Sequence, residues 1–95
     1  MLFRSVLEAD EVAVLPAEHT LAGRARLALK DFAGQDFISL AADDPYRREI
    51  DARFDAAGVT RQLRVQTHSA VAVCELVRAG LGVAIVNPLT ARACA

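Results

Sequence analysis

No sign of charge dominates this sequence. Eleven Lys and Arg face twelve Asp and Glu in 95 residues, a formal charge of −1. A chain this neutral has no general electrostatic pull on nucleic acid or anionic lipid, so contact with DNA must come from residues outside it. Cysteine is scarce: only Cys74 and Cys94 are present. Two such residues make no disulfide framework, and a reducing cytosol is the natural setting. Long hydrophobic runs are missing. The strongest apolar segments, 70–74 and 81–86, are far too short to span a bilayer, and residues 1–4 do not open a signal peptide. These features lead to the expectation of a cytoplasmic protein without a membrane partner. Internal repeats and low-complexity linkers are also missing.

What is present is apolar. Hydrophobic residues make up 54% of the chain and charged ones 24%, which excludes a disordered or collagen-like polypeptide. The length fits one domain or part of one. Val12-Ala13-Val14-Leu15 reads as a strand stopped by Pro16, and residues 17–28 as an exposed loop with a basic tip. A short helical turn over 29–34 closes on Gly34, and Phe37-Ile38-Ser39-Leu40 reads as a second strand. Asp43 or Asp44 caps a helix whose first residue is Pro45. Tyr46, Ile50, Phe54 and Ala57 recur on one face of it, the arginines 47, 48 and 53 lie on others, and Glu49 pairs with Arg53. Residues 61–66 alternate like a half-buried or edge strand. The helix over 70–79 is apolar round most of its circumference, which predicts deep burial, and Gly80 caps it. Val83-Ala84-Ile85-Val86 reads as an inner parallel strand, and 89–95 as the start of another helix. Leu2, Phe3, Val6, Leu7 and Leu89 have no assigned partner and favour self-association.

The alternation of strand and helix implies parallel pairing with right-handed crossovers. The fold class is α/β, a parallel-rich Rossmann-like sheet flanked by helices. With 61–66 at the edge, 37–40 inside it and 83–86 beyond, a switch point forms at the carboxyl end of strand 37–40. The loops emerging there are 41–45 and 67–69.

Several pairings of chemistry-bearing residues have a simpler explanation. His68 and Cys74 project to nearly opposite sides of one helix, and the apolar setting of Cys74 marks a core thiol. His19 and His68 lack the neighbours a metal needs, so no metal ligand and no cofactor is assigned. Gly80-Leu81-Gly82 precedes a strand rather than following one, and helix capping explains it better than dinucleotide binding. Asp43-Asp44 reads as a cap, and the arginines 47, 48 and 53 as a solvated face. No catalytic residue emerges. Thr67-His68-Ser69 is different, because two hydroxyls and free backbone N–H groups converge at a helix start. Such a terminus attracts carboxylate or phosphate, although capping alone would justify one hydroxyl.

The ordered set VAVLPAEHTLAG, LKDFAGQDFISL, RREIDARFDAAGV and QTHSAVAVCELVRAGLGVAIVNPLTA resembles the effector-binding domain of LysR-type transcriptional regulators over residues 6–92. The usual proline after the histidine of the first stretch is Thr20 here, a departure in a surface loop. The flavour of RREID with VCELV and GLGVAIVNP is similar to the opine- and amino-acid-responsive branch. The resemblance implies one lobe of a type II periplasmic-binding-protein-like fold. It makes residues 1–95 a single domain, the second subdomain of the effector-binding domain. DNA would be bound only through a winged helix-turn-helix that this chain does not contain. It further implies a non-enzymatic sensor of a small carboxylate-bearing co-inducer, within a homo-oligomer. Co-inducer would be met by Leu40, Ala41, Ala42, Asp43 and Asp44 and by Thr67, His68 and Ser69. A solute-binding protein and a small dehydratase-like enzyme on the same fold are the rival classes.

Overall fold

Alternating apolar side chains put one mixed sheet at the centre of the molecule. The computed structural model describes residues 1–95. Its strands are β1 (Leu2–Val6), β2 (Val12–Leu15), β3 (Arg26–Leu27), β4 (Asp36–Leu40), β5 (Gln62–Thr67) and β6 (Ala84–Val86). Its helices are α1 (Pro45–Ala57), α2 (Ala70–Arg78) and α3 (Pro88–Cys94). One ladder runs β3-β1-β2-β6 and a second joins β4 to β5. A parallel bridge between Phe37 and Val83 stitches the two ladders together. There the Val83 N–H donates to the Asp36 carbonyl at 2.9 Å, and the Ile38 N–H to the Val83 carbonyl at 2.8 Å.

The expected unit β4-α1-β5-α2-β6 is present, with β4 between β5 and β6. The other half of the sheet departs from the sequence reading. β6 is parallel to β4 only at the bridge and antiparallel to β2 on its other side. β1, to which no element was assigned, pairs antiparallel with β2 and parallel with β3. Its apolar residues therefore have partners: Val6 is buried, and Leu2 and Phe3 pack against the two core clusters. Leu7 and Leu89 remain exposed. The expected exposed loop over 17–28 also needs correction, since Leu27 is fully buried in β3.

Strand alternation assigns the two faces. Ala13, Leu15, Phe37, Val83 and Ile85 face α1, where they meet Ile50 and Phe54. Val14, Ile38, Ala84 and Val86 face α2 and α3, where they meet Val73, Cys74, Val77 and Ala91. Phe32, Phe37 and Phe54 pack edge to face, with ring centroids 5.7–6.0 Å apart.

Asp44, not Asp43, caps α1: its side chain accepts from the Tyr46 and Arg47 amides. The stripe of α1 is narrower than its spacing suggests, because Ala57 is exposed. Arg47 is buried, not part of a solvated face, and the helix ion pair is Arg47–Asp51 rather than Glu49–Arg53. α2 buries Val73, Cys74 and Val77 but leaves Val71 58% exposed, so the expected all-round burial gives way to one buried face. It ends in a Schellman motif: the Gly80 N–H donates to the Val77 carbonyl and the Leu81 N–H to the Leu76 carbonyl, with Gly80 at φ 86°. Gly82 serves another purpose. A Cβ there would lie 2.6 Å from the Asp36 carbonyl oxygen, so glycine lets β6 approach β4. β5 is the sheet edge and is more exposed than half-buried.

Candidate functional site

The sheet delivers three helix starts to one edge. α1 follows β4, α2 follows β5 and α3 follows β6. The first turn of any helix carries N–H groups without intrahelical acceptors, and each of these starts is capped by a side chain. Asp44 Oδ1 accepts from the Tyr46 N–H at 2.8 Å and the Arg47 N–H at 3.2 Å. Ser69 Oγ accepts from the Ala72 N–H at 3.2 Å, and Asn87 Oδ1 from the Thr90 N–H at 2.7 Å.

β4 and β6 share only the bridge near their amino ends. Beyond it lies a cavity of about 230 Å³ between their carboxyl ends. Ile38, Val73, Ile85 and Val86 give it an apolar floor, and Ser39, Asp44, Tyr46, Arg47, Asn87 and Thr90 a polar wall. The volume is below the roughly 300–1,000 Å³ of drug-sized pockets, so it suits a small molecule.

The structure separates the residues expected from sequence into two groups. Leu40 and Asp44 line the cavity. Ala41 is buried, Ala42 and Asp43 are exposed, and none of the three lines it. Thr67 is half-buried, while His68 and Ser69 are exposed, and these three also lie outside the lining. The two loops nevertheless run side by side, because the Ala41 N–H donates to the Thr67 carbonyl at 3.0 Å. Thr67 Oγ1 accepts from the Ser69 N–H at 3.3 Å, so both hydroxyl oxygens of Thr67-His68-Ser69 take part in turn and cap bonds. Sequence reasoning missed Ser39, Tyr46, Arg47, Asn87 and Thr90. Asn87-Pro88 repeats the cap-then-proline order of Asp44-Pro45, and that repetition was the available signal for a third helix start at this edge.

Charge is organised around Arg47. Its Nη1 donates to the Leu40 carbonyl and to Gln66 Oε1, both at 2.9 Å. Its Nε donates to Asp51 Oδ2 at 2.9 Å, and Arg61 Nη2 donates to Asp51 Oδ1 at 2.7 Å. Burial opposes the charge on Asp51, but the hydrogen bonds from Arg61 and Arg47 outweigh it and hold its carboxyl below the usual range. The Tyr46 hydroxyl donates to Glu11 Oε2 at 2.6 Å. Burial, then that bond and the Glu11 charge, push the phenol above its ordinary value. His19 is held by the Leu21 N–H on Nδ1 and by Gln35 on Nε2. His, Cys, Asp and Glu nowhere gather in threes that could hold a metal ion. No helix is long and apolar enough to cross a membrane.

The family model described as the LysR substrate binding domain matches residues 2–95. The chain belongs to that family. It is 49% identical over 86 residues to the transcriptional activator protein LysR of Escherichia coli (strain K12), covering 90% of this chain and 28% of that protein. A LysR-family domain of this size thus spans just over a quarter of the curated relative. The regulatory domain of CcmR from Synechocystis PCC6803, solved in complex with 2-PG, superposes with a TM-score of 0.78 at 20% identity, over 84% of this chain and 38% of that one. The effector-binding domain of QuiR, solved in complex with shikimate, gives a TM-score of 0.78 at 22% identity, over 96% and 44%. These two likenesses establish the fold, which for LysR effector domains is periplasmic-binding-protein-like.

Proposed function

We propose that this LysR-family domain is a non-catalytic sensor that binds a small carboxylate-bearing effector, of amino-acid or opine type, in the cavity at the carboxyl edge of the sheet. The observation that carries the reading is the cavity itself. An apolar floor and a polar wall sit where β4 and β6 part, at the start of three helices. Open α/β sheets bind ligands at such switch points. Two neighbours of this fold were solved with 2-PG and shikimate, which supports a small-molecule effector here.

Residues 1–95 act as the second of two effector-binding subdomains, and the effector lies in the cleft between them. In this reading Leu40–Asp44 and Thr67–Ser69 meet the effector from the two loops at that edge, the latter offering two hydroxyl donors to its carboxylate. Occupancy then changes the conformation of a cytoplasmic homo-oligomer, and DNA is reached through a winged helix-turn-helix outside this chain. The near-neutral charge supports that division of labour.

The test is a thermal-shift screen against amino acids, opines and aromatic acids. At least one carboxylate should raise the melting temperature of the protein that carries both subdomains in a dose-dependent manner. A screen in which carboxylates leave the melting temperature unchanged contradicts the reading.

A further inference from the structure

Two guanidinium groups share one carboxylate beside the cavity. Arg47 and Arg61 both bond Asp51, and their side chains are only 9% and 8% exposed, against 33% for Asp51. The cluster therefore carries one net positive charge where an uncompensated charge is costly. The Asp44 carboxylate in the cavity wall keeps its own negative charge while Oδ1 accepts from the amides of Tyr46 and Arg47, so what favours an anion is the free donor of an arginine and not the net charge of the wall.

The two arginines differ in what is left over. Arg61 lies over the rings of Phe54 and Phe37, 4.1 Å and 4.8 Å from their centroids, and its buried Nη1 has no hydrogen-bond partner. Arg47 lines the cavity. Its Nε and Nη1 are occupied by Asp51, Leu40 and Gln66, while Nη2 donates to no protein atom.

We propose that Arg47 is the residue by which the cavity selects an anionic group, and that Asp51 and Arg61 are positioning residues that fix its guanidinium in the wall. The proposal rests on the cavity being the effector site. A guanidinium already held by three hydrogen bonds loses little freedom when a ligand arrives. With a carboxylate it forms an ion pair as well as a hydrogen bond, whereas a neutral amide offers only the hydrogen bond, which gives a carboxylate the advantage over its neutral isostere.

Two-dimensional NMR on the 95-residue chain tests this, with butyrate and butyramide as probes. The resonances followed are the backbone amides of Ala70, Asn87 and Thr90 and the Nε–H of Arg47. Butyrate should move all four and bind about tenfold more tightly than butyramide. Arg47→Met should erase that preference. Asp51→Asn should shift the Arg47 Nε–H resonance and change the preference, and Asp51→Glu should bring both back towards the native values, whereas a purely structural role would change the melting temperature and leave the preference intact. Equal affinities for the two probes in the native chain overturn the proposal without need of a variant. So does a preference that survives Arg47→Met. In both cases the cavity stands as the effector site. If neither probe moves the cavity amides, the effector reading and the proposal fall together.

Discussion

Val83 donates a 2.9 Å hydrogen bond to the carbonyl oxygen of Asp36, and this contact joins the two ladders of the sheet. It sits at the closed end of the gap between β4 and β6 and so fixes the base of the cavity. Gly82 makes the approach feasible, since a Cβ would fall 2.6 Å from that oxygen and 3.0 Å from its carbon. Backbone atoms cannot yield as a flexible side chain does. Gly82→Ala should therefore cost about 1–3 kcal/mol, the range of overpacked cores. Gly23→Ala, where nothing lies within 4 Å, is the control and should be near neutral. Urea denaturation of both variants provides the comparison.

Asp51 gives the fold a defined acid response. Its folded-state pKa is lowered by Arg61 and Arg47 against the opposing effect of burial. A depressed carboxylate stabilises the fold above its unfolded value, and that stability is lost as pH falls through the folded value. Asp51→Asn should cost about 1.5–3 kcal/mol at pH 7, the range for hydrogen bonds to charged groups. The gap between variant and native chain should narrow below about pH 4. Denaturation midpoints at both pH values decide it. A gap of constant size would show that the ion pairs contribute nothing.

Burial, with Cys94 close by adding to it, pushes the Cys74 thiol up from about 9 to about 12. Between those values the unfolded chain releases a proton that the folded chain keeps. Stability should therefore fall across that window as pH rises. Cys74→Ala should lose less stability than the native chain between pH 8 and pH 11. Parallel losses in the two proteins would refute this.

Thr67 and Ser69 each serve a turn or cap, and each still has a hydroxyl proton to give. Ser69→Ala should lower stability by about 1 kcal/mol through the lost α2 cap. Thr67→Val should weaken effector binding about ten- to a hundredfold, the equivalent of one charge-assisted hydrogen bond. Calorimetric titration and a melting curve on each variant separate the two roles. Unchanged affinity in the double variant would confine both residues to capping.

The β4-α1-β5-α2-β6 unit was legible because apolar spacing, Asp44-Pro45, Gly58 and Gly80 all mark its boundaries locally. Strand direction was not: Val83–Val86 is apolar throughout, and nothing in such a run says that β2 pairs with it antiparallel. β1 escaped notice because Arg4 and Ser5 interrupt its apolar residues, and β3 because it has only two residues. The switch point followed from the order of strands and helices, and the cavity lies there. The wall of the cavity was half hidden. Arg47 looked like one of several solvated arginines, and only the tertiary meeting with Leu40, Asp51 and Gln66 explains its burial.

Ala70 lines the cavity at the first residue of α2 and is only half-buried, so a larger side chain there fills the space without displacing the core. The most direct measurement is a calorimetric titration of Ala70→Phe with the carboxylate that most stabilises the native chain. Circular dichroism on the same sample verifies the fold. Affinity should fall about a hundredfold or more, equivalent to about 2.7 kcal/mol, with the secondary structure unchanged. An Ala70→Phe chain that remains folded and binds the acid as tightly as the native one would place the effector elsewhere and contradict the assignment of this cavity.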